Sequence, residues 1–125
     1  MPTLDNRVFD NGLTVLDTEA NVLHLTSAEA TSFANVASVT LANNTNLLIG
    51  APQDRPGGGR EVVVAALSGN DVGTVTGTGT ATHYALVDTV NSRLLATGLL
   101  QSSQAVTSGN TFATTSVAIG IPDPV

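Results

Sequence analysis

The residues with chemical potential in this 125-residue chain are few. His24 and His83 are the only imidazoles, and there is no cysteine. No second histidine stands near either, so a zinc set would have to gather carboxylates from distant parts of the chain. Acid–base work by His83 would need a nucleophile and an orienting group; Asp88, five residues on in the same strand, points to the other face. His83 therefore reads as a strand histidine hydrogen-bonded to a neighbour or to water. No Gly-x-Ser-x-Gly elbow exists, and "QSSQ" at 101–104 reads as turn chemistry. "DTVNSR" at 88–93 has the oxygens of a cation-binding turn, but Asp88, Asn91 and Ser92 in that order predict side-chain to backbone turn bonds. The expectation is a protein that is not an enzyme, with no catalytic residue, cofactor or metal site.

One further stretch invites a ligand. "APQDRPGGGR", residues 51–60, sets three consecutive glycines between two arginines, and successive glycine amides can form a nest for an anion. It lacks the lysine and following helix of a phosphate loop. With two prolines it reads as an exposed loop unable to pack as an element, which orders on a neighbouring subunit. Gln53, Asp54, Arg55, Gly57, Gly58, Gly59 and Arg60 are the candidate docking residues. Arg55 and Arg60 would reach acidic groups or main-chain carbonyls of a protein partner.

Charge narrows the partners. Four arginines and no lysine stand against ten carboxylates, a formal net charge of −6. Neutralising phosphates takes a clustered cationic face, so nucleic acid and anionic membrane surfaces are not expected partners. No apolar run approaches the roughly 20 residues of a membrane-spanning helix, and "MPTLDNR" has neither the basic segment nor the apolar core of a secretory signal. Only 11% of residues are charged while 42% are apolar. Sparse charge on a small protein fits an oligomer or a large docking surface; the alternative is that Thr, Ser and Asn solvate the surface.

These residues must be held by a fold, and the periodicity is mostly two. The length suits one domain over 1–125, with an N-terminal arm or helix at 1–20, the exposed loop at 51–60 and a tail at 122–125. Phe9, Leu13, Leu16 and Ala20 make one helical stripe with Thr3 or Asp5 as N-cap, although Asn11-Gly12 is also a hairpin signal. "NVLHLTS" alternates as a half-buried strand. "SAEATSFANVAS" predicts a connection with one helical turn, capped by Ser27 and pinned by Phe33. "SVTLAN" and "NLLIGA" read as strands split by an Asn43-Asn44 turn, and "EVVVAAL" as a strand apolar on both faces. In "TVTGTGTATHYAL" Thr74, Thr76, Thr78, Thr80 and Thr82 would face one way with Tyr84 and Leu86, while Gly77 and Gly79 either let a neighbour approach the other face closely or, the simpler reading, form a bend just before the strand. Tyr84 would anchor the core, with His83 on the small-residue side. "TFATTSVAIGI" predicts a last strand with Ala113, Thr115, Val117, Ile119 and Ile121 on one face. Short strands with Gly, Asn and Ser turns about every ten residues predict a mainly β protein, an antiparallel β-sandwich or jelly-roll-like barrel with a short N-terminal helix.

Residues 82–121 then resemble a group of short tailed-bacteriophage virion proteins. A Thr-His-aromatic-x-Leu-x-Asp strand (Thr82, His83, Tyr84, Leu86, Asp88) leads through a polar turn to Leu94, Leu95 and Gly98. A turn at Val106, Gly109 and Asn110 and a last apolar strand follow. "LHLTSAEATSFANV" is similar to a segment of such proteins, with Thr26, Ala30 and Phe33 where Cys, Pro and Tyr are frequent. The resemblance implies a β-sandwich structural protein of the virion, without catalytic residues. It would be a capsid decoration or cement protein on the capsid exterior, with the major capsid protein and copies of itself as partners. The alternatives are a tail- or fibre-associated protein, or a carbohydrate- or receptor-binding module.

Overall fold

The computed structural model describes residues 3–4, 12–45, 47, 49–56, 59–65, 73–112 and 116–121. Among these residues ten strands, all paired antiparallel, form two sheets, and neither sheet closes into a barrel. The strands are β1 (Thr3–Leu4), β2 (Val22–Thr26), β3 (Thr40–Asn44), β4 (Gln53–Asp54), β5 (Arg60–Val64), β6 (Gly73–Val75), β7 (Gly79–Asp88), β8 (Arg93–Val106), β9 (Thr111–Phe112) and β10 (Val117–Ile121). The larger sheet runs β1-β8-β7-β2-β3-β6-β9, the smaller β10-β5-β4. Helix α1 spans Thr14–Glu19 and α2 spans Phe33–Val39.

The two faces of the large sheet follow from strand alternation. Across β2 and β7, Leu23 pairs with Leu86 and Leu25 with Tyr84; Val22 pairs with Val87 and His24 with Ala85. The first set, with Ala42, Val75 and Leu95, packs on Val62, Val64 and Ile119 of the small sheet and on Leu13, Val15 and Leu16 of α1. The second set packs Val22, Ala85 and Val87 against Val36 and Phe33 of α2. Small sheet with α1, large sheet, and α2 are thus stacked in sequence.

Local chemistry explains several departures from the sequence reading. The N-terminal helix is shorter than its stripe predicts: Gly12, at φ +72°, stands just ahead of it, a conformation that glycine takes without strain. Leu13 and Leu16 are buried as expected, whereas Thr3, the proposed cap, lies in β1 opposite Thr97. Phe9 and Asn11 fall outside the described residues. Helix α2 is capped by Ser32, not Ser27: the Ser32 hydroxyl accepts from the Asn35 amide at 3.1 Å while the Asn35 side chain accepts from Thr31 at 3.0 Å. Asn43 and Asn44 form no turn but continue β3, where they pair with His24 and Leu23.

The threonine ladder is two strands. After Val75 the chain crosses the ends of β3 and β2 to reach β7, and the amides of Thr76 and Gly77 both donate to the Leu41 carbonyl. A Cβ at Gly79 would lie 3.3 Å from the Leu41 side chain, so the glycines let the crossing pass close to it. A register shift between Ala81 and His83 then resets the alternation, so that Ala81 joins Tyr84 and Leu86 at the main core. "TFATTSVAIGI" likewise divides between the sheets, with Phe112 in the large one and Val117–Ile121 in the small. Val117, Ile119 and Ile121 face the core as predicted; Ala113, Thr115 and the tail 122–125 lie outside the described residues.

Candidate functional site

The proline and glycine stretch folds as a hairpin, which corrects the expectation of a loop unable to pack as an element. Gln53 pairs with Glu61 and Asp54 with Arg60, and the Arg55 amide closes the turn on the Gly59 carbonyl at 3.0 Å. Gly59 has φ +94°, the left-handed conformation such a turn requires. The prolines do not prevent pairing because Pro52 and Pro56 flank β4 rather than interrupt it. Of the docking candidates, Gln53, Asp54 and Arg60 are exposed on this hairpin; Gly57 and Gly58 lie outside the described residues.

The arginines already have work within the molecule. The Arg60 guanidinium contacts the Asp54 carboxylate at 2.6 Å and donates to the Pro52 carbonyl at 3.0 Å. Arg55 lies across β10: a Cβ on Gly120 would sit 2.8 Å from its Cδ. The Gln53 amide donates to Glu61 at 3.1 Å, and Glu61 is only 8% exposed. Beside the hairpin, Leu13, Thr14, Pro52, Arg60 and Ile121 help line a cavity of about 400 Å³.

His83 and Tyr84 point to opposite faces, as predicted. The Tyr84 ring lies over Gly98 of β8, where a Cβ would meet it at 2.6 Å, and packs against the main core. Partial burial raises the phenol pKa above its ordinary value. On the other face His83 Nδ1 is 2.8 Å from the Thr82 hydroxyl, which donates to the Ser27 carbonyl at 3.0 Å. Because that hydroxyl has given its proton to Ser27, its oxygen accepts from His83 Nδ1–H. Beside His83 across the strands stands Leu99, 62% exposed. His24, on the same face of the sheet, has Nδ1 2.8 Å from the Thr40 hydroxyl, and burial lowers its pKa.

The turn at 88–93 satisfies itself. The Asn91 side-chain amide donates to Asp88 Oδ2 at 2.8 Å, and the amides of Val90 and Asn91 donate to Oδ1 at 2.9 and 3.3 Å. The Asn91 side chain above all, then the two backbone amides and the Arg93 charge, lower the Asp88 pKa despite burial. Ser92 completes the turn at φ +55°. Asn21 fastens it by hydrogen bonds in both directions with Thr89.

Among the described residues no three His, Cys, Asp or Glu side chains gather where a metal ion could be held, and no helix is long and apolar enough to cross a membrane. His24, His83 and Asp88 are each engaged by a different neighbour and form no shared cluster. The sequence reading passed over one surface, the outer edge of β10, although "VAIGI" carries its signal: five residues without a charge. Against protein-family models, curated proteins and solved structures, the chain matches none.

Proposed function

We propose that this protein is an accessory structural protein of a tailed-bacteriophage virion, a decoration or cement protein that docks on the outside of the capsid shell and stabilises it. The observation that carries the reading is the pattern of residues 82–121: Thr-His-aromatic-x-Leu-x-Asp, Leu-Leu and Gly, then the Ser-Gly-Asn turn and the closing apolar strand. Two further features support it. The polar side chains with chemical potential are occupied by internal hydrogen bonds, and the exposed β4–β5 hairpin offers Gln53, Asp54 and Arg60 along one rim.

The mechanism is burial on the major capsid protein. Protein interfaces of ordinary size remove about 1,600 Å² of surface in total, and the gain repeats over many identical copies. The acidic net charge suits a place outside the shell, away from packaged DNA. Purified protein added to undecorated capsids should bind in stoichiometric amounts and raise their melting temperature. Binding to tails instead would move it to a tail or fibre, glycan-array hits would make it a receptor-binding module, and binding to neither shells nor tails would end the virion reading.

A further inference from the structure

Among the described residues the two sheets end in four edge strands: β1 and β9 on the large sheet, β4 and β10 on the small. Three are two residues long, and β4 is in addition flanked by Pro52 and Pro56 and carries Asp54. Very short strands, proline and charge are the means by which proteins keep sheet edges from pairing further. β10 itself contains neither proline nor charge, although Pro122 follows it as Pro52 precedes β4: Val-Ala-Ile-Gly-Ile is five residues long, regular in register with β5 throughout, and unpaired on its other side among the described residues.

The hydrogen bonds fix which of its groups are free. The Val63 carbonyl accepts from Gly50 and the Gly59 carbonyl from Arg55, so the odd residues of β5 turn toward the β4 side. Alternation then turns Arg60, Val62 and Val64 toward β10, where they face Ile121, Ile119 and Val117. Ala118 and Gly120 therefore aim their amides and carbonyls away from the sheet. Their side-chain positions lie on the outer face, where Ala118 is exposed and Gly120 sits beneath Arg55.

We propose that β10 is a self-pairing edge: two copies join antiparallel across a two-fold axis at Ile119, making one continuous six-stranded sheet from the two small ones. About that axis Ala118 of one copy stands opposite Gly120 of the other. Each such pair exchanges two backbone hydrogen bonds, so all the outward groups of the two residues are satisfied together. A second copy is the occupant because the strand is its own complement in charge as well as in register. An uncharged edge meets an uncharged edge, and a chain of net charge −6 would be held off by acidic residues at the seam, of which β10 has none. Outside the seam, the small Ala118 side chain leaves room beside the partner's Arg55. This pairing does not depend on the virion reading.

The test is sedimentation equilibrium of the full chain, with backbone amide exchange. The wild type should form a dimer in which the Ala118 and Gly120 amides exchange more slowly as concentration rises. Ala118→Pro removes an outward amide without touching the β5 ladder, and should weaken the dimer roughly tenfold or more, the effect of about two net backbone bonds. Ala118→Lys, at an exposed site, should do the same while circular dichroism stays unchanged, which keeps the test valid if the proline variant misfolds. A chain that stays monomeric, or a dimer indifferent to Ala118→Lys with both amides freely exchanging, overturns the proposal. Protection of these amides only after capsids are added would also overturn it, by assigning the edge to a strand of the shell.

Discussion

The two faces of the large sheet are held by different means. The face toward the small sheet is an apolar interior of Leu23, Leu25, Leu86 and Leu95 set against Val62, Val64 and Ile119. The face toward α2 has a smaller apolar patch around Val36, Ala85 and Val87, bordered by polar groups that bond locally. Thr26 donates to the Ala28 carbonyl at 2.7 Å, Thr97 to Glu29 at 3.4 Å, and both histidines rest on threonine hydroxyls. Apolar area sets stability in proportion to its extent, while hydrogen bonds exchanged with water return little net energy but penalise their own loss. The first face should therefore govern how stable the molecule is, and the second should add, through the buried His24, a response to pH below 6.5.

The largest expected effect breaks the first face. Leu86→Ala removes a fully buried side chain at its centre and should cost about 2–5 kcal/mol in urea unfolding. Val36→Ala on the α2 side should cost only about 1–2 kcal/mol, because fewer buried methyl groups are lost. Equal losses would dissolve the distinction between the faces. Next in size is the contact of Tyr84 with Gly98. Gly98→Ala pushes a methyl group into the ring and should cost about 1–3 kcal/mol. In a Tyr84→Ala background the same change should be nearly free, and additivity in the double-mutant cycle would refute the contact. Tyr84→Ala alone should fall at or below about 3 kcal/mol, because the ring is only partly buried.

Much of this division was legible in the sequence and some was not, for physical reasons. Alternation placed Leu23 and Leu25 together, set Val117, Ile119 and Ile121 on one face, and put Tyr84 opposite to His83, because a strand's period is a property of its backbone. What escaped were places where that period is interrupted. The register shifts after Ala81 and after Leu86 insert residues that leave no mark in composition, so Ala81 and both Leu95 and Ala96 turn inward against a strict count of two. The assignment of "TFATTSVAIGI" to a single strand failed likewise: nothing in the alternation tells that β9 and β10 belong to different sheets. Pro52, Pro56 and Gly59 looked like a loop because their propensities are those of turns, yet Gln53 and Asp54, between the prolines, are enough to pair with Glu61 and Arg60. At the candidate site, the turn bonds of Asp88 and Asn91 could be read from residue type alone, since those bonds are local. The partners of Arg55 and Arg60 could not, because they depend on which strands lie alongside.

The turn offers a test of intermediate size. Asp88→Ala leaves the amides of Val90 and Asn91 without their acceptor and should cost about 1–3 kcal/mol at neutral pH. The Asp88 pKa in the fold lies below its ordinary 3.8. The unfolded chain therefore binds the proton first, and this part of the stability is complete above 3.8 and lost as pH falls through the folded value. Wild type and variant should converge in strong acid when followed by urea midpoint against pH. A constant gap would mean that the carboxylate charge is not what the turn uses.

The smallest expected effect belongs to His24 and sharpens the comparison most directly, because it lies on the α2 face and in another pH window. Its ring sits between Ala85 and Asn43 on neighbouring strands, and burial holds its pKa below 6.5. Since the Thr40 hydroxyl donates to the Ala42 carbonyl at 3.2 Å, its oxygen accepts from His24 Nδ1–H, an arrangement the neutral ring can make. Below pH 6.5 the unfolded chain takes up a proton that the folded chain resists. Stability is thus whole above 6.5 and declines as pH drops through the folded value. His24→Gln, which keeps an amide donor and cannot ionise, should leave stability at pH 8 within about 0.5 kcal/mol of wild type and flatten the slope below about pH 6.5. A slope that survives the substitution would have to come from elsewhere. It would leave the α2 face distinguished from the other by the size of its apolar patch alone.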